Sequence, residues 1–288
     1  MTYDWLTLER KLDGLPPSPR HAILTFSGTW APPGWGYPSD TVRFANDELV
    51  YEVPVIAPWS FGPVPPGQID SPSYEDSVAI AVEWAVAWIL NHAGTFGLFG
   101  YSQGGEAASR VLLEIITPSG RLHHRLGDFI GGGAFGNPYR QKGKFVGADP
   151  GGHGIADVNL TNTPANWAEV VNKGDMYASV PDGKAGELIT EFYSMLIQLQ
   201  LGDFGEFCKD MIGSVAKLIP DVLDIVTKPI SGGIPGIQAA IVALQFLGTG
   251  TAPHIEYHMR PVLPGVTGLA YMIDHLNRIA SATPARAA

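Results

Sequence analysis

The chain has 288 residues, a net charge of -10, 45% hydrophobic and 16% charged residues; this is a globular composition, long enough for one large α/β domain or for one domain with an insertion. The acidic balance and the lack of any Lys/Arg run exclude a nucleic-acid partner and disfavour anionic lipid. The one cysteine, Cys208, excludes an intramolecular disulfide and a cysteine-built metal site.

Residues 1–20 alternate charged and apolar positions without the apolar core or cleavage site of a secretory signal, so a soluble, unprocessed chain is expected. No window reaches the about 18 unbroken apolar residues of a membrane span. Residues 21–26 (HAILTF) predict a buried first strand that stops at Ser27-Gly28-Thr29-Trp30. The loop beyond it holds Trp30, Trp35 and Tyr37 among glycines and prolines, in the position where α/β folds build their sites. A short helix is expected over residues 40–49 and a second strand over 50–56, with Pro54 assigning that strand to a sheet edge. The proline-rich loop 58–67 carries Trp59 and Phe61. Ser71-Pro72 then opens a helix over 74–92 that is apolar on most of its circumference and therefore heavily buried.

Phe96, Leu98 and Phe99 supply the next strand, which breaks into Gly100-Tyr101-Ser102-Gln103-Gly104. G-x-S-x-G between a strand and a helix is the mark of a sharp turn that presents a serine hydroxyl, the glycines preventing backbone collision. Ala107, Ala108, Val111, Leu112, Ile115 and Ile116 give the following helix its apolar stripe. Further strands are expected over 129–135, which includes Gly131-Gly132-Gly133, and over 166–171, which breaks at Lys173-Gly174-Asp175. From Lys184 strand signals vanish and helical spacing takes over, so residues 184–248 are assigned to a helical insertion and residues 1–183 and 249–288 to the core. A last amphipathic helix over 269–279 precedes a frayed Ala- and Pro-rich tail.

A serine hydroxyl needs a base, and the base an orienting carboxylate. In α/β-hydrolases they follow in the order Ser, Asp or Glu, His. Asp175 directly follows a strand, whereas Asp149, Asp157 and Asp182 sit in looser contexts; the plain alternative is that Asp175 caps a turn. Three histidines follow it: His254, preferred as the base in a loop leaving the insertion; His258, the runner-up; and His275, expected to be an exposed structural residue of the last helix. The oxyanion donors fall to the N–H after the nucleophile, Gln103, and to Thr29 after the first strand. Trp30, Trp35, Trp59 and Phe61 are candidates for substrate contact. No metal-ligand spacing or nucleotide loop occurs, so no cofactor is expected.

Together Gly100-Tyr101-Ser102-Gln103-Gly104, the run 136–143 (GNPYRQKG), the run 174–179 (GDMYAS) and Pro253-His254 make the chain resemble the lysin B family, the mycolylarabinogalactan esterases of phages that infect mycobacteria and their relatives. The resemblance covers most of the chain from about residue 21 onward. It implies a cutinase-like α/β-hydrolase with a mostly parallel central sheet and a helical linker or lid inserted between acid and base, Ser102 as nucleophile, Asp175 as acid and His254 as base. It further implies an enzyme made in the infected cell that acts on the host envelope at lysis. The relatives' His-Gly-Thr segment is here Ser27-Gly28-Thr29. Asn137-Pro138 reads as a turn, and Arg140 as the partner of an acidic neighbour. A general cutinase- or lipase-like carboxylesterase and a non-catalytic envelope-binding module are the other two readings.

Overall fold

Short runs rich in apolar residues suit strands of a covered sheet, and five of them pair here as one parallel sheet. These are β1 (His21–Phe26), β2 (Val50–Pro54), β3 (Phe96–Tyr101), β4 (Phe129–Phe135) and β5 (Trp167–Val170), ordered β2-β1-β3-β4-β5. Strands β1, β3, β4 and β5 are buried along nearly their whole length, and the edge strand β2 is half-buried. The computed structural model describes residues 19–197 and 251–286, with residues 65 and 69 excepted. Helices α2 (Tyr74–Asn91) and α3 (Gln103–Ile116) cover one face of the sheet, and α1 (Tyr37–Arg43) and α6 (Gly268–Ala282) the other. Between them lie α4 (Lys184–Leu196), α5 (Thr251–Ile255) and the antiparallel pair β6 (Pro261–Leu263) and β7 (Val266–Thr267). This is an α/β-hydrolase architecture. The chain runs outward from β1 to the edge strand β2, then returns to set β3 on the other flank of β1, so the strand order reverses between β1 and β3. A crevice opens at such a reversal, beyond the carboxyl ends of the two strands.

Several local expectations shift. The first helix begins at Tyr37 and ends at Arg43 instead of spanning 40–49, and β2 stops at Pro54. The cap of α2 is Ser73, whose hydroxyl accepts the Asp76 N–H at 3.0 Å, because Pro72 precedes the helix instead of lying inside it. The short pair β6 and β7 gave no sequence signal. The tail is held up to Arg286: the Thr95 N–H reaches Arg286 O at 3.4 Å, and Arg286 N–H reaches Thr95 Oγ1 at 3.2 Å. Of the expected insertion, α4 is helical and its end is tied to α2 by the Glu75 N–H on Ile197 O at 3.0 Å; residues 198–250 lie outside the described residues. No helix among the described residues is long and apolar enough to cross a membrane.

Candidate active site

At the end of β3 the backbone turns into α3 through Ser102, whose φ of 55° and ψ of -122° place a non-glycine residue in strained geometry. The turn closes only with glycine behind it: a Cβ on Gly104 would stand 2.1 Å from Phe26 O in β1. The Ser102 N–H bonds Phe135 O at 3.0 Å, which fixes the elbow to β4 as well.

Two separate segments converge on that serine. His254 Nε2 stands 2.9 Å from Ser102 Oγ, and its Nδ1 stands 2.9 Å from one Asp175 oxygen and 3.0 Å from the other. Asp175 follows β5 as expected; His254 belongs to the short helix α5 instead of an open loop. Asn172 Nδ2 donates to Pro253 O at 2.7 Å, joining the loop of Asp175 to the helix of His254. The His254 ring packs against Tyr177 and Tyr101, with centroids 4.4 and 5.1 Å away, and the Tyr101 hydroxyl donates to His254 O at 3.1 Å. Asp175 is fully buried and also accepts the Tyr177 N–H at 3.0 Å and the Tyr257 hydroxyl. Gly136, at a φ of 55°, passes directly beneath: a Cβ there would lie 2.7 Å from His254 Nδ1 and 2.8 Å from Asp175 Oδ2.

The rest of the run 136–143 is scaffolding. Asn137 Nδ2 donates to Ser109 Oγ and Glu169 Oε1, both at 2.9 Å. Arg140, fully buried, has no carboxylate partner in its hydrogen bonds among the described residues; it donates to the carbonyls of Ala178, Lys144, Gly151 and Gly152, bracing the segment that follows Asp175. This replaces the ion pair expected of it.

Beside Ser102 a cleft of about 220 Å³ is lined by Thr29, Trp30, Phe61, Tyr74, Tyr193 and Ile255 among others. Of the four candidate contact residues, Trp30 and Phe61 reach it. Trp59 is fully buried in the core, its carbonyl accepting the Trp30 N–H at 2.6 Å, and Trp35 is exposed outside the lining. Gln103 is the first residue of α3, where an N–H has no intrahelical acceptor; its side chain turns away to Ser60 O at 2.9 Å. Ser27 Oγ donates to Pro32 O at 3.0 Å, folding the loop after β1 back on itself. His258 is exposed and meets Tyr37 OH at 2.8 Å, away from the serine. His275 is buried instead of exposed, because α6 presses it onto β4, where its Nε2 meets Gly132 O at 3.0 Å. A larger groove of about 590 Å³ runs between β5 and α6, but Ser102 is not among its lining residues and no serine, threonine or cysteine lines it.

Sequence reasoning missed Glu106. One turn into α3, this fully buried carboxyl accepts hydroxyls from Tyr74 at 2.9 Å and Tyr193 at 3.2 Å and pairs with Arg110 at 2.6 Å; Arg110 also grips Glu75 through two contacts of 2.8 Å. Burial pushes Glu106 up to about 7, against the pull of Arg110 and Tyr74. Burial likewise raises Glu169 to about 7, against Trp167 and Asn137.

No protein-family model matches the chain. It is 31% identical over 262 residues to Endolysin B of Mycobacterium phage L5, covering 85% of this chain and 96% of that protein. It is 30% identical over 242 residues to Endolysin B of Mycobacterium phage D29, covering 78% and 88%. Its fold matches the crystal structure of lysin B from Mycobacteriophage D29 with a TM-score of 0.60 and 21% identity, over 90% of this chain and 99% of that one.

Proposed function

For a chain that belongs to the endolysin B family, we propose a serine esterase that hydrolyses the ester between mycolic acids and arabinogalactan in the host envelope at lysis. The observation that carries this reading is the unbroken relay from Ser102 Oγ through His254 to Asp175, with each link at 2.9 Å. His254 Nε2 takes the hydroxyl proton as Ser102 Oγ attacks the ester carbonyl, and Asp175 stabilises the imidazolium that forms. The oxyanion is met by the Gln103 N–H and by a donor of the loop bearing Thr29. Collapse of the intermediate expels the arabinogalactan hydroxyl, which receives its proton from His254. Water, activated by the same imidazole, then releases the free acid and restores Ser102.

The cleft is lined mostly by apolar surface, which gives an acyl chain shelter from water. Its small volume favours one second reading, a carboxylesterase of shorter acyl esters. Incubating the protein with mycolylarabinogalactan-peptidoglycan and analysing the lipid phase decides between them. Release of free mycolic acids supports the first reading; turnover of p-nitrophenyl butyrate without that release supports the second. The variant Ser102→Ala is expected to lose both activities by roughly 10⁴-fold or more while remaining folded, and ordinary turnover by it removes the serine mechanism.

A further inference from the structure

Asp175 is held from three sides, and one of the donors is a side chain outside the relay. Tyr257 lies three residues beyond His254, past the end of α5, and is fully buried. Its ring is packed by Tyr37, Tyr101 and Phe135, with centroids 5.7, 6.3 and 5.5 Å away, so its hydroxyl is aimed at Asp175 Oδ2 with little freedom. Other polar groups nearby are already engaged. The Tyr101 hydroxyl goes to His254 O, Tyr177 offers Asp175 only its backbone N–H, and the Arg140 guanidinium is spent on carbonyls. Among the described residues, Tyr257 is therefore the one side-chain donor to Asp175 besides His254.

We propose that Tyr257 is a positioning residue of the relay, whose hydroxyl fixes the rotamer of Asp175 and sets how readily the Asp175–His254 pair takes up a proton. The proposal rests on the serine-esterase reading above. Burial and the neighbouring carboxylate hold the phenol well above its usual range, so it stays a donor at any working pH. A buried carboxylate that loses one donor is less well compensated. The less compensated charge favours a proton on the hydrogen-bonded Asp175–His254 pair. Since only the unprotonated pair accepts the Ser102 proton, deleting the hydroxyl moves the acidic limb of the rate profile to higher pH.

The test is the pH dependence of kcat/KM for p-nitrophenyl butyrate with the full chain. Tyr257→Phe keeps the ring and its packing and removes only the oxygen. It is expected to lower kcat by on the order of tenfold, leave KM nearly unchanged and raise the acidic limb by about half a pH unit or more. Replacement of Tyr257 by 3-fluorotyrosine keeps the bond with a stronger donor and is expected to move the limb the other way; it serves alone if Tyr257→Phe does not fold. Limbs that coincide with wild type in the folded variants overturn the proposal and leave Tyr257 a packing residue. Normal turnover by Ser102→Ala instead overturns the esterase reading itself, so the two failures are told apart.

Discussion

The two walls of the cleft are built from similar residues used in opposite ways. On the wall of Asp175 and His254, a buried carboxylate draws donors toward the Ser102 side of the cleft: the histidine, a backbone N–H and the Tyr257 hydroxyl all converge on it. On the facing wall another buried carboxylate, Glu106, draws hydroxyls away from the cleft. Tyr74 and Tyr193 both line it, yet their hydroxyls are tied to Glu106, leaving ring surface to the cleft. A tyrosine thus contributes polarity or apolar surface according to where its hydroxyl is satisfied. Damage to the first wall should therefore strike chemistry, and damage to the second should strike binding and stability.

The sharpest break is Asp175→Asn. The amide keeps the shape, but it cannot stabilise an imidazolium and favours the wrong tautomer of His254. A fall in kcat of about 10³- to 10⁴-fold is expected, with KM and the unfolding temperature little changed. A kcat within tenfold of wild type would remove Asp175 from the relay and make it the turn-capping residue that its position also allows.

The second wall is probed more gently by Glu106→Gln. The amide oxygen keeps Arg110 and the amide nitrogen turns to the phenol oxygens, so the wall stays in place without the charge. Because Glu106 is raised to about 7 from an ordinary value of 4.5, the folded protein binds the proton more tightly than the unfolded chain does. The stability this contributes is fully present below about pH 4.5 and lost as pH rises to about 7. Wild-type stability, followed by urea unfolding, should thus decline between pH 5 and pH 8. The variant should decline less, by an amount on the order of 1 to 3 kcal/mol; Glu169, raised for the same cause, keeps part of the slope. Its kcat is expected to stay within about threefold of wild type. Equal slopes in both proteins would show that Glu106 is already ionised throughout this range.

How much of this was legible in the sequence follows from how local each signal is. The strand, turn and helix around Ser102 are set within fifteen residues by spacing and glycines, and all five sheet strands overlap the stretches expected as strands. Asp175 stood out because a charged residue directly follows a strand. Glu106 did not, since Glu106 and Arg110 are spaced like an exposed helical pair, and only the packing of Tyr74 and Tyr193 onto α3 reveals the acid as buried. Tyr257 has no signal either, as its role depends on how the chain turns after α5. Trp59 misled for the same reason: loop composition announces aromatic residues near a site but not which way each one points. Arg140 was expected to seek an acid because a charge ordinarily does, and it found four carbonyls in a loop whose path no spacing predicts.

The smallest expected effect separates the two histidines that the sequence set side by side. His258 is four residues from His254 and belongs to the same short stretch, yet its ring stacks on Tyr37 at 6.0 Å and its Nδ1 meets the Tyr37 hydroxyl at 2.8 Å. Tyr37 also donates to Ile255 O at 2.5 Å, so removing His258 leaves the tyrosine anchored and α5 in position. His258 is exposed, and an exposed hydrogen bond of this kind contributes about 1 kcal/mol or less to stability. His258→Ala is therefore expected to keep kcat/KM within about twofold of wild type, with no displacement of the acidic limb. His254→Ala, measured alongside it, removes the only imidazole within reach of Ser102 among the described residues and should fall with Asp175→Asn or below it. Were His258→Ala the more damaging of the two, the catalytic proton would be leaving Ser102 by another route, and the wall that holds Asp175 would have to be reassigned from chemistry to structure.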